Sequence, residues 1–228
     1  IKKIIYPWSF KNSIFVEDAL DNKTYQFIGI TERGEEPEDY SNFLYINSIP
    51  HHIKILSSPH YQFGDKKVFL IKNARLIGPN AMITDHKGRI IKNAVSFNGR
   101  GRFRVFINRL LLHSPLSNLR SVAPFSFVYS LKPQKIINTA CTLVPLWNNY
   151  FHWVAEELPK LRAVEFYQDK HKEKVKLIIP SNPSGYITET LKCLGYSLDE
   201  CMEWKYNRIQ VENMVVPTFP ELSKDTLT

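Results

Sequence analysis

From Ile136 onward, apolar runs of strand length alternate with helical stretches, and this alternation restricts the fold more than any other feature of the chain. Ile136-Ile137-Asn138-Thr139-Ala140-Cys141-Thr142-Leu143-Val144 reads as a buried strand, and a helix is expected from about Asn149 to Tyr167. A second strand is predicted over 175–180 and a helix over 184–194, closed by Gly195 where a left-handed residue is wanted. A third strand is predicted over 213–217. Parallel neighbours need a crossover, and a helix supplies it, so this order predicts consecutive βαβ units. In such sheets ligands sit beyond the carboxyl ends of the strands, where loops lead into helices.

The first 130 residues follow a different pattern. Strand-like runs at 68–71, 74–77 and 81–84 are punctuated by Gly78-Pro79-Asn80, and Asp85-His86-Lys87-Gly88 reads as a turn into Arg89-Ile90-Ile91. That is a β-meander. The expected organisation is therefore α/β, with a β-rich basic segment over 1–130 packed against an α/β unit over 131–228. The hydrophobic share of 43% over 228 residues is ample for a core, and no apolar run is long enough to predict a membrane-spanning helix.

Charge is unevenly distributed. Residues 1–130 hold 18 Lys/Arg against 10 Asp/Glu, while residues 131–228 hold 12 against 12. Within the first part, residues 66–120 hold 12 basic groups against Asp85 alone. Such a field favours an anionic partner, whether a phosphate-bearing substrate, an acidic polymer, a membrane surface or nucleic acid. A solvated basic face gives the same count. Arg100, Arg102 and Arg104 alternate with Phe103 and Val105, so on a strand they would share one face about 6–7 Å apart, able to hold phosphates or carboxylates. An edge strand protected by charge has the same pattern. No signature of an RNA-recognition, KH or helix-turn-helix module is present, and nucleic acid is not the expected partner.

Several chemistries lack a motif. There is no GxGxxG, no P-loop, no serine elbow and no paired-histidine zinc motif. Cys141, Cys193 and Cys201 are too few and too irregular for a disulfide framework or a zinc site, so reduced thiols in a cytosolic setting are expected.

One stretch concentrates titratable groups: Asn149-Tyr150-Phe151-His152-Trp153-Val154-Ala155-Glu156-Glu157-Leu158-Pro159-Lys160-Leu161. On a helix, His152 and Glu156 are four apart and meet on one face. A carboxylate against an imidazole fixes its tautomer and orients it, as a general base requires. Trp153, Leu161 and Val164 fall on a neighbouring face that would bury against a sheet. Pro159 costs on the order of 3 kcal/mol in a regular helix interior, so a kink or a second helix start is expected there. The N–H groups near Asn149 to His152 would favour an anion. The same residues admit a plainer account, with His152 packed and Glu156 and Glu157 placed as acids on the helix dipole.

This stretch resembles the N-Y-[YF]-H-W…[ED]-x-L-P-[RK]-L signature of glycosyltransferase family 61. Upstream, residues 73–90 are similar to that family's β-hairpin with its Gly turn. Downstream, residues 176–180, 191–196 and 213–218 resemble its next strand, helix and strand. The similarity spans about residues 68–220. It implies an inverting, nucleotide-sugar-dependent transfer in surface-polysaccharide or glycoconjugate synthesis, on a GT-B fold of two facing Rossmann-like halves. Residues 131–228 would then be a Rossmann-like βαβαβ unit resembling one such half.

Within that resemblance, His152 and Glu156 are the candidate catalytic pair, one as base and the other orienting it. Asn149, Tyr150, Trp153 and Lys160, together with Arg100, Arg102 and Arg104, are the candidate substrate contacts. Lys160 stands where the family usually has arginine, a point charge in place of a bidentate fork. The expected partners are a nucleotide-sugar donor and a glycan acceptor, with no metal and no cofactor beyond the donor. The expected location is the cytoplasm, at the inner face of an anionic membrane, or a secretory lumen in a eukaryote. The second half of the fold is expected to lie outside these residues, leaving the isolated piece inactive. The alternative is a non-catalytic carbohydrate- or polyanion-binding domain of the same fold.

Overall fold

The computed structural model describes residues 13–14, 16–21, 23–32, 66–78, 80–92, 132–145, 148–205 and 208–218. The strands are β1 (Ser13–Ile14), β2 (Tyr25–Glu32), β3 (Lys66–Ile77), β4 (Met82–Thr84), β5 (Ile90–Ile91), β6 (Lys135–Thr142), β7 (Lys176–Ile179), β8 (Cys201–Glu203) and β9 (Arg208–Pro217). The helices are a short α1 (Tyr150–His152), α2 (Lys160–His171) and α3 (Gly185–Cys193), with a π-helical turn (Trp153–Glu157) between α1 and α2. Arg100, Arg102 and Arg104 lie outside the described residues.

All these strands join one mixed sheet in the order β1-β5-β4-β3-β9-β6-β7-β8, with β2 also on β3. β9 runs antiparallel along β3 from Val68 opposite Pro217 to Ile77 opposite Arg208. That occupies one whole edge of β3. β2 and β4 therefore share the other edge, β2 pairing up to Ile71 and β4 from Arg75. The β-rich segment and the α/β segment are thus joined through a backbone ladder between β3 and β9.

β6 pairs parallel with β7 and with β9, and β7 pairs parallel with β8. The predicted strands over 136–144 and 175–180 and the predicted helix over 184–194 correspond to β6, β7 and α3. The third parallel strand after β7, however, is β8, and the predicted strand over 213–217 belongs to β9 on the opposite edge of β6. β8 has three half-buried residues, Cys201, Met202 and Glu203, too short a run to carry a period. A second difference lies in the meander, where the runs at 68–71 and 74–77 form the single strand β3. Asn73 sits inside it at φ 53°, a conformation its short polar side chain tolerates, while β9 keeps the ladder continuous past it.

Period-two alternation sends side chains to two cores. On one face Cys141, Leu177, Ile179 and Val215 pack with Leu161, Val164 and Tyr167 of α2 and Ile187 and Leu191 of α3. On the other face Ala140, Ile178, Met214 and Val216 pack with Leu76, Ile83, Ile91, Ile209 and Trp204. Among the described residues, both long helices lie on the first face, and the second-face core is drawn from the strands and the segments beside them. Hydrogen bonds from Trp204 Nε1 to Gly78 O (2.9 Å) and from Asn80 Nδ2 to Pro145 O (3.1 Å) tie the β3–β4 turn to the segments leaving β8 and β6. No described helix is long and apolar enough to cross a membrane.

Local chemistry fixes the ends of these elements. Gly195 at φ 85° closes α3 as expected, with Tyr196 N–H returning to Leu191 O at 3.0 Å. Gly29 lies at an irregularity of β2 under α2, where a Cβ would fall 2.5 Å from the Phe166 ring. The turn after β4 is organised by Asp85, which is buried. Its Oδ1 accepts from Lys87 N (2.8 Å) and Arg89 N (2.7 Å), and its Oδ2 accepts from Arg89 Nε (2.6 Å) and from the Tyr25 hydroxyl. Burial and the Asp85 carboxylate together push the Tyr25 phenol well above its ordinary range.

Candidate functional site

α1 is the next described element after the carboxyl end of β6, so the motif follows the strand end where a parallel sheet presents its ligand-binding edge. Asn149 is extended, at φ −143°, and its Oδ1 accepts from His152 N at 3.0 Å. This is the N-cap geometry, in which a short polar side chain satisfies an orphan N–H. Asn149, expected to contact substrate, is exposed and commits its Oδ1 to this capping bond.

The helix then widens. Leu158 N–H donates to Trp153 O at 2.9 Å, five residues back, and α2 begins after Pro159, whose φ of −59° suits a helix start. The proline therefore marks a π turn and a restart, which removes the need for the N–H it lacks. The first turn of α2 carries on with Leu161 N bonding Leu158 O at 3.0 Å.

The turn separates two pairs of charged groups. Outward, His152 Nδ1 lies 2.9 Å from Glu156 Oε1, and their side chains are 19% and 15% exposed. Inward, Lys160 Nζ lies 2.6 Å from Glu157 Oε2, with side-chain exposures of 7% and 1%. Lys160 Nζ also lies 3.4 Å from the Thr142 carbonyl at the end of β6. Burial raises the Glu157 carboxyl above its ordinary range; the charge and hydrogen bond of Lys160 oppose that shift, Glu156 adds to it and His152 opposes it. Glu157 thus feels both members of the outward pair.

Two further expectations about substrate contact change here. Trp153 is fully buried, packs in the helix-side core and donates from Nε1 to Thr190 Oγ1 at 2.8 Å. Lys160 is equally unavailable to a ligand, since Glu157 and the Thr142 carbonyl surround its ammonium. Of the four motif residues expected to touch substrate, Asn149 and Tyr150 are exposed; the Tyr150 ring, at 61%, meets Tyr186 edge-on at 5.6 Å between centroids. Phe151 is exposed beside it and meets the His152 ring edge-on at 5.4 Å.

Reading the stretch as an amphipathic helix placed Glu157 as an acid on the helix dipole rather than in the core, and did not single out Thr190. A signal for Glu157 existed: 153, 157, 160 and 164 fall at alternating spacings of three and four, the stripe of one buried helix face. Thr190 carries no comparable signal, because its role depends on how α3 packs on α1.

Chemically, the outward pair sets an imidazole beside a carboxylate, both half-buried, an arrangement that can take a proton from a bound hydroxyl. Cys141 is no nucleophile here, since burial pushes its thiol up to about 12 against the pull of Lys160. Among the described residues, no group of three or more His, Cys, Asp or Glu side chains is arranged to hold a metal ion. Compared with protein-family models, with curated proteins and with solved structures, the chain matches none.

Proposed function

We propose that these residues form the acceptor side of an inverting, nucleotide-sugar-dependent glycosyltransferase. The observation that carries this reading is the 2.9 Å contact between His152 Nδ1 and Glu156 Oε1, a partly exposed pair beyond the carboxyl end of β6. An Nδ1-protonated tautomer beside the Glu156 carboxylate keeps Nε2 as the acceptor for a proton. In the reaction the acceptor hydroxyl oxygen attacks the anomeric carbon, the bond to the nucleotide leaving group breaks, and the hydroxyl proton passes to His152 Nε2. The strand order β8-β7-β6-β9 supports a Rossmann-like half-sheet, because chain direction across the sheet reverses between β6 and β9, where such sheets bind ligands.

The test is nucleotide release by the full chain from a panel of UDP-, GDP- and CMP-sugars with glycan acceptors. His152→Ala and Glu156→Ala should each lower turnover by roughly 10²–10⁴-fold while leaving the unfolding transition in place. Undiminished turnover in both variants would overturn the assignment. The exposed rings of Tyr150 and Phe151 favour a second reading, a carbohydrate-binding domain without transfer. Glycan binding that persists in His152→Ala and is lost in Tyr150→Ala, with no nucleotide release by the full-length protein, would support that reading instead.

A further inference from the structure

We propose that two internal contacts, Trp153 to Thr190 and Lys160 to Glu157 and Thr142, act as a clamp on the π turn and thereby position Glu156 against His152. The proposal rests on the reading of His152 and Glu156 as the proton-transfer pair and assigns Trp153, Glu157, Lys160 and Thr190 as positioning residues. π-helical turns are rare and persist where the surroundings over-determine them. Here each end of the turn is tied to a different element. Trp153, its first residue, is fully buried and held to α3 through Thr190 Oγ1 at 2.8 Å. The Thr190 hydroxyl gives its own proton back along α3, to Tyr186 O at 2.6 Å, so it is oriented to accept from the indole. Glu157, the last residue, is held by Lys160 at 2.6 Å, and Lys160 reaches the Thr142 carbonyl at 3.4 Å, on β6.

Between these ties lie Val154, Ala155 and Glu156, the outward part of the turn. Only Glu156 among them can pair with His152, and its Oε1 lies 2.9 Å from Nδ1. A regular α-helix would also bring the pair to one face at the four-residue interval, but with a different angular offset, because the π turn closes an i→i+5 bond where the α-helix closes i→i+4. A displacement of about 1 Å at such a pair costs on the order of 10²-fold in rate. The clamp also explains why a charged pair occupies the core: an apolar pair would fill the space but would not reach the Thr142 carbonyl.

The experiment compares the native chain with Glu157→Leu/Lys160→Met, which fills the same core space, with Thr190→Val at the other end of the clamp, and with Lys160→Arg. The imidazole ¹⁵N shifts of His152, identified by their loss in His152→Gln, report which nitrogen carries the proton. One Nδ1-protonated tautomer is expected in the native chain and in Lys160→Arg. The double variant and Thr190→Val should instead show a two-tautomer average while retaining a cooperative unfolding transition. Their turnover should fall about 10–10²-fold in kcat with KM unchanged. A native His152 pattern in both the double variant and Thr190→Val overturns the clamp. A pattern that responds as expected in a full-length protein without transferase activity upholds the clamp and overturns the transferase reading.

Discussion

Glu157 and Lys160 meet at 2.6 Å across the Pro159 helix restart, both side chains out of solvent. A buried ion pair contributes little relative to an apolar pair of the same volume, but removing one partner leaves the other charge stranded. Lys160→Met alone should therefore destabilise the chain by roughly 3–5 kcal/mol, and adding Glu157→Leu should recover most of that loss. Guanidinium unfolding of the two single variants and the double variant measures the coupling directly. Losses that simply add would show that the pair is not coupled.

Trp153 fills the space between the π turn and α3. Trp153→Ala should cost about 3–5 kcal/mol through the cavity it leaves. Trp153→Phe should cost less, with a component of about 1 kcal/mol from the lost indole bond to Thr190. Urea midpoints for Trp153→Phe in native and Thr190→Val backgrounds separate the hydrogen bond from the volume.

Asp85 collects donors from Tyr25, Lys87 and Arg89 in a buried position. Asp85→Ala leaves several of these unpaired and should cost at least about 2 kcal/mol. Asp85→Asn, which keeps an acceptor for the turn N–H groups, should cost less. Thermal unfolding of both variants tests the order, and an Asn variant worse than Ala would refute it.

The cysteines should divide by accessibility. Cys193 is exposed and Cys141 is buried, so alkylation near neutral pH should modify Cys193 quickly and spare Cys141 until the chain unfolds.

Alkali tests the same thiol thermodynamically. Its ordinary value of 9.0 is raised to about 12 by burial, so the unfolded state loses this proton first as pH rises. The stability it contributes is full below pH 9.0 and is lost as pH climbs towards about 12. Tyr167, pushed up to about 12 by burial and the Glu173 carboxylate, has the same sign. Unfolding followed against pH should therefore decline across this range, and Cys141→Ala should flatten the decline without abolishing it.

The strand-helix alternation after Ile136 located β6, β7 and α3 within a residue or two, because each is long enough for its buried side to repeat. The turn at Asp85 and the end of α3 at Gly195 were legible for a related reason: their chemistry is local, a carboxylate reaching its own backbone and a residue free to take positive φ. β8 was not legible. Three residues carry no period, and Cys201 to Glu203 form a strand only because β7 offers them an open edge. Nor could the sequence join β3 into one strand, since the ladder that carries it past Asn73 comes from β9, some 140 positions away.

The motif divides the same way. That His152 and Glu156 share a helical face is a property of spacing, and the four-residue interval alone predicted their approach. That Pro159 interrupts the helix followed from its missing N–H. Which of the neighbouring groups face outward was decided by packing. The same two letters, Glu156 and Glu157, became one half-exposed carboxylate and one buried one because α3 and the end of β6 take up the other side of the turn. Lys160, read as a contact for substrate, became an internal cation for that reason. Local spacing sets which residues can meet along a helix, and only the long-range contacts of Trp153, Lys160, Thr142 and Thr190 determine which of them remain available to anything else.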